Sequence, residues 1–165
     1  MNSINIAVRN SLQKALLKLM QNKIISDISI TELIKCAGVG RMSFYRNYAS
    51  KEDILLDALR QQTLRCLGKL KNENWHFQWD DLFTIFESLR PTVELIYKSG
   101  KSHLLFDYIK GLSEYYEIKT LNQAYDYAAC AGLYIGILDH WASNGFKESR
   151  QELTDIFKNY LMLTR

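Results

Sequence analysis

The chain has 165 residues, 47% of them hydrophobic and only one of them proline, and a formal net charge of +3. That length allows one or two small domains with a true core, and the composition excludes a disordered or low-complexity chain. Cys36, Cys66 and Cys130 are too widely spaced for a disulfide framework or a C-x-x-C metal pattern, and with no signal-peptide-like apolar core or run of about twenty apolar residues a cytoplasmic protein is expected.

Ile4, Val8, Leu12, Ala15, Leu16, Leu19 and Met20 recur at helical spacing and predict a first amphipathic helix ending near Asn22 and Lys23. Ser29 and Glu32 fit an S-x-x-E capping box, so a second helix starts at Ile30 and buries Leu33, Ile34 and Ala37. Gly38 supplies the positive φ that ends a helix cheaply, and Val39 plugs the corner. A short third helix over 40–48 places Phe44 and Tyr48 on one side as core contacts. Arg41, Met42, Tyr45 and Arg46 are left on other faces. Arginine pairs with guanine edges and a tyrosine hydroxyl suits phosphate, so that surface suits a polyanion.

Ser50 is the expected N-cap of a fourth helix, with Glu52 and Asp53 in its first turn, where the helix dipole favours acids. Lys51 sits at the same helix start, where its charge and the free backbone N–H groups suit one phosphate. The apolar series Ile54, Leu55, Ala58, Leu59, Leu64, Leu67 and Leu70 makes this helix long enough to leave one domain and enter the next. Asn72-Glu-Asn74 is the expected boundary. Further helices open at Trp79, break or restart at Arg90-Pro91, stop at Ser99-Gly100, and run over 101–118, 121–144 and 149–163. No strand pattern competes. The expectation is an all-α fold: a three-helix helix-turn-helix unit (1–49), a connecting helix (50–72) and a helical second domain (73–165).

Charge and aromatic content divide along the same line. Residues 1–72 carry twelve Lys and Arg against five Asp and Glu, a net +7, while residues 73–165 carry nine against thirteen, a net −4. A basic half containing the helix-turn-helix favours phosphate binding with a steep salt dependence. Seventeen of the twenty aromatic residues follow residue 72. Of these, Phe83, Phe86, Phe106, Tyr125, Tyr134 and Trp141 either line an apolar effector pocket or fill a small core. Ala128, Gly132 and Gly136 form a stripe of small residues at four-residue spacing, where two helix backbones can approach closely. His103 and His140 are isolated, so no metal site is expected. No nucleophile, base and orienting group converge at a recognisable spacing, which argues against an enzyme and gives no reason for a cofactor.

The stretch from Ser29 to Lys51 resembles the DNA-binding domain of the tetracycline-repressor (TetR) family, with Ser29, Leu33, Ile34, Ala37, Gly38, Val39, Ser43, Tyr45, Tyr48 and Lys51 on the family's pattern. Gly40 departs from it, standing where the family usually has a capping Ser. The C-terminal layout is similar to the short effector domains of Gram-positive TetR-type regulators, including activators of dihydroxyacetone kinase operons. The resemblance implies a homodimer on a palindromic operator in double-stranded DNA, switched by a small-molecule or protein effector, with repression favoured over activation. It places Arg41, Met42 and Arg46 at base edges and Ser43, Tyr45, Asn47 and Lys51 on phosphates, with Ser29 also among the DNA-binding residues. It further implies a dimer interface from the last two helices, drawing on Ala128, Gly132, Gly136, Phe157, Tyr160 and Leu161. The alternative is a helical protein-interaction module, or an activator controlled by a partner protein without a small ligand.

Overall fold

A computed structural model of the chain describes residues 3–70, 79–111 and 119–163. The expected boundary at 72–74 and the expected helix end near 118 lie outside these residues. The described elements are α1 (Ser3–Met20), a 3-10 turn (Ile25–Asp27), α2 (Ile30–Ala37), α3 (Arg41–Asn47), α4 (Lys51–Leu70), α5 (Trp79–Lys98), α6 (His103–Gly111), α7 (Leu121–Ser143) and α8 (Arg150–Leu163). No strand occurs among the described residues, as the all-α reading requires. No helix among them is long and apolar enough to cross a membrane.

Helix α1 lies across α2, α3 and α4. Its Leu12, Leu16 and Met20 close over Leu33, Phe44 and Leu55, all essentially inaccessible. Ser29 caps α2 by accepting the Glu32 amide at 3.1 Å. The Glu32 carboxylate does not reach back to Ser29; it pairs with Lys23 at 2.6 Å, so an ion pair to the preceding loop replaces half of the expected capping box. Gly38 ends α2 at φ 65°, and the Val39 amide reaches back to the Ile34 carbonyl at 3.1 Å. Gly40 then starts α3 in an extended conformation with no side-chain cap. At the next junction the capping is reciprocal. Ser50 Oγ accepts the Asp53 amide at 3.1 Å, while Asp53 accepts the amides of Ser50 and Ala49 at 2.9 and 3.0 Å.

Helix α4 packs on α1 on one side and on α5 and α6 on the other. Helix α5 runs unbroken through Pro91, contrary to the break expected from sequence. A proline lacks the N–H that would reach the carbonyl four residues back. Here Pro91 and Glu87 both lie on the exposed side, so solvent reaches the carbonyl left over, while Leu89, Thr92 and Val93 keep the buried face continuous. The second core gathers Phe83, Phe86, Leu89, Ile96, Leu105, Leu138, Trp141 and Phe157 and is continuous with the first. Helix α7 opens with a full Thr120–Gln123 capping box and ends through Gly145 and Phe146, both at positive φ. The strain at Phe146 is offset by burial of its ring, 5.1 Å from Trp141 and 4.8 Å below the Arg90 guanidinium.

The two halves are joined by more than the shared helix. At the corner between α5 and α6, Ser99 Oγ accepts the Ile25 amide at 3.2 Å and Lys101 pairs with Glu52 at 3.3 Å. Further along α4, Gln62 donates to Thr92 at 3.0 Å, and the Thr63 and Tyr108 hydroxyls are bonded to each other.

The two turn glycines should respond oppositely to substitution. A Cβ at either meets no atom within 4 Å, but Gly38 is left-handed and Gly40 is an empty N-cap. Gly38→Ala is expected to destabilise by about 1 kcal/mol, and Gly40→Ser to stabilise by a few tenths of a kcal/mol. Urea unfolding midpoints measure both.

Candidate nucleic-acid interface

Helix α3 is only seven residues long and buries a single side chain of its own, Phe44. A helix this short does not persist alone, so its pose is set by what holds its two ends. At its start, Gly40 O accepts the amides of Ser43 and Phe44 at 3.0 and 3.2 Å. At its end, Tyr48 turns to extended backbone and drives its ring into the core.

What remains outside is one polar, cationic face. Arg41, Met42, Tyr45 and Arg46 are exposed, and Met42 is 74% accessible. The Tyr45 ring stands edge-on to Phe44 with centroids 5.0 Å apart, and the Arg41 guanidinium lies 5.9 Å from the Tyr45 centroid. Tyr45 therefore has its ring anchored against the core and its hydroxyl outward, and it also restrains Arg41. Ser43 and Asn47 are half-buried on the flank, where the Asn47 amide donates to the Ser43 carbonyl at 2.8 Å.

Ser29 and Lys51 have internal partners. The Ser29 hydroxyl is the α2 cap. The Lys51 ammonium, expected to meet a phosphate, donates instead to the carbonyls of Ile25 and Ile28, at 2.6 and 2.5 Å. The first closes the 3-10 turn, where it also accepts the Ile28 amide at 3.3 Å, and the second belongs to the residue that caps that turn. Lys51 thus ties the start of α4 to the turn between α1 and α2.

No cap, motif or spacing in the sequence pointed to the group that fixes the far end of α3. Asp57, on α4 and 6% accessible, accepts the Tyr48 hydroxyl at 2.5 Å, Gln13 at 2.6 Å and Gln61 at 3.2 Å. Arg9 reaches the same carboxylate at 2.6 and 3.1 Å, with its guanidinium 5.2 Å from the Tyr48 ring centroid. Three helices meet at one carboxylate. The one available signal was an acid at a position where the apolar stripe of α4 called for an aliphatic side chain.

The candidate effector residues divide. Phe83, Phe86, Tyr134 and Trp141 are buried against one another and against Phe146 and Phe157, with ring centroids 5.1 to 6.2 Å apart. They fill a core, whereas Phe106 and Tyr125 are 50% and 70% exposed elsewhere. The candidate interface residues divide as well. Phe157 is wholly buried in its own subunit, but Ala128, Gly132, Gly136 and Tyr160 are exposed on α7 and α8. Leu161 lies on α8, and its side chain is outside the described residues. Gly132, Gly136, Ile137, His140, Ile156 and Tyr160 line an open groove of about 520 Å³ between these helices. Among the described residues none approaches the glycine stripe, since a Cβ at either glycine would meet none of their atoms within 4 Å.

Burial, and then the bond to Asp57, push the Tyr48 phenol up to about 12, and burial with Asp139 moves Tyr97 the same way. Both shifts favour the protonated form, so the stability they contribute is complete below the ordinary phenol value of 10.0 and is lost as pH rises through the folded values. Unfolding midpoints should fall between pH 10 and 12, and less steeply in Tyr48→Phe than in the parent.

No protein-family model and no curated protein matches the sequence. Solved structures do. Lin0861 from Listeria innocua superposes with a TM-score of 0.76 at 12% identity, over 100% of this chain and 94% of that one. A TetR transcriptional regulator from Streptococcus agalactiae 2603V superposes with a TM-score of 0.62 at 20% identity, over 93% of this chain and 92% of that one. At these identities the agreement is one of architecture, and since it takes in both the helix-turn-helix and the helices behind it, the protein has the all-helical fold of TetR regulators.

Proposed function

We propose that the protein is a sequence-specific DNA-binding transcriptional regulator that acts as a homodimer on a palindromic operator and is switched by an effector. The observation that carries this reading is the outer face of α3, where Arg41, Met42, Tyr45 and Arg46 stand exposed on a helix with almost no buried surface of its own. A helix so presented fits the major groove, with arginines at guanine edges and Met42 against a thymine methyl. Tyr45, Ser43 and Asn47 lie where they can contact the flanking phosphates. Lys51 and Ser29 contribute by holding the elements around α3 in place.

The exposed face of α7 supports dimerisation. Leu121, Tyr125, Ala128, Gly132 and Gly136 recur at helical spacing on one side, and Leu121 and Tyr125 are 72% and 70% exposed. Such a stripe beside the α7–α8 groove fits a second copy, and a two-fold pair would set two α3 helices on successive major-groove faces, roughly 34–36 Å apart. The effector, a small molecule or a partner protein, acts by favouring one spacing of those helices over another. The close packing of Phe83, Phe86, Tyr134 and Trp141 favours an effector that reaches the second domain from outside its core. Repression, by occupancy of the operator, remains the favoured sign.

Selection from random duplexes at low salt should return a palindrome, and failure to enrich one defeats the reading. On the selected site, Arg41→Ala should alter the preferred bases and cost about 1–3 kcal/mol. Tyr45→Phe, which keeps the ring beneath Arg41, should weaken all sequences alike by a few-fold. For the dimer, Gly132→Leu fills open space in the subunit, so circular dichroism should be unchanged while sedimentation shifts from dimer towards monomer.

A further inference from the structure

The Asp57 carboxylate serves more partners than its burial alone requires. Two of them, Arg9 and Gln13, come from α1, Gln61 from its own helix, and Tyr48 from the residue that closes α3. Gln13 Nε2 lies 3.4 Å from the Tyr48 hydroxyl as well. A buried ion pair of this kind adds little stability compared with apolar side chains of the same volume, because desolvation offsets its attraction. It does fix geometry, since each donor must stay in place or leave a buried charge short of partners.

From this we propose that Asp57 is a positioning residue for DNA recognition: through the Tyr48 hydroxyl it holds the C-terminal end of α3 in register with α4. The inference rests on the DNA-binding reading above and adds the side chain through which α4 holds the end of α3. Three observations carry it. Phe44 is the only side chain α3 itself buries, so Tyr48 is the main constraint on its end. The Tyr48 amide is bonded to the Phe44 carbonyl at 2.9 Å, so the residue moves with the helix. Its phenol bonds to α4 in the second turn after the Ser50 cap, on the face turned towards α1. A displacement of α4 therefore carries Asp57, and with it the end of α3. The Gly40 end, without a side-chain cap, is left as the hinge.

Tyr48→Phe keeps the ring in the core and removes only the hydroxyl, and Asp57→Asn keeps the size of the acceptor while removing its charge. For Tyr48→Phe the expected result is an intact fold, an unchanged salt slope and an affinity ratio of selected operator to random duplex lowered about tenfold. Amide hydrogen exchange in the full-length protein without DNA gives an independent reading. Residues 44–48 should exchange faster in Tyr48→Phe while residues 33–37 of α2, which share the same core, keep the parent rates. Asp57→Asn should show the same selective change in α3. Uniform acceleration across α2 and α3, or no change in either, would overturn the proposal. If the parent selects no operator, the DNA-binding reading fails while the exchange experiment still decides whether Asp57 holds α3.

Discussion

Helix α4 has to satisfy two cores at once. Its Ile54, Leu55 and Leu59 are buried, with α1 on one side of the helix and α5 and α6 on the other, and its polar positions are used as well. Lys51 closes the 3-10 turn, Asp57 gathers α1 and α3, and Gln62 and Thr63 reach α5 and α6. A helix held along both sides cannot shift in one domain without shifting in the other. That constraint gives α3 its fixed pose and, on the proposed function, a route by which the second domain alters it.

The surroundings of α3 follow from the same economy. A seven-residue helix has too few hydrogen bonds to sustain itself, so its order is borrowed from its neighbours. Burying only Phe44 leaves the rest of its surface to solvent, which is costly for a structural helix and useful for one that must enter a groove. The Tyr45 ring illustrates the division, with one edge against Phe44, one face near Arg41 and the hydroxyl outward. The second contact between the halves, from Ser99 and Lys101 to the 3-10 turn and Glu52, keeps the basic unit from swinging freely about α4.

In the second domain, aromatic residues that suggested a pocket are spent on a core. Phe83, Phe86, Trp141 and Phe157 fill that core alongside Leu89, Ile96 and Leu138, meeting through edge-on and tilted contacts. The apolar surface left over lies outside, on α7 and α8 beside the glycine stripe. In a helix, glycine is unfavourable without a reason in packing. Among the described residues nothing packs on the stripe, and that is the main support for the proposed second copy against this face.

Much of the local architecture was legible in the sequence because it is governed by local rules. The Ser29 cap, the left-handed Gly38, the Phe44 and Tyr48 contacts and the Asn144-Gly145 helix end each depend on a few neighbouring residues. The exposed set on α3 followed from the same periodicity. Other features depended on partners distant in sequence. Pro91 interrupts a helix only when the freed carbonyl has no solvent, and that depends on which face is buried. Lys51 and Asp57 read locally as a helix-start cation and an ordinary acid. The first finds the carbonyls of Ile25 and Ile28, and the second finds Arg9, Gln13 and Tyr48. The sequence by itself determined most of the helices, part of their capping and the exposed basic face of α3, because spacing and capping act within a few residues. Only the tertiary structure decided which polar side chains hold that surface in place, because a buried charge takes its partners from whichever helices the fold brings to it.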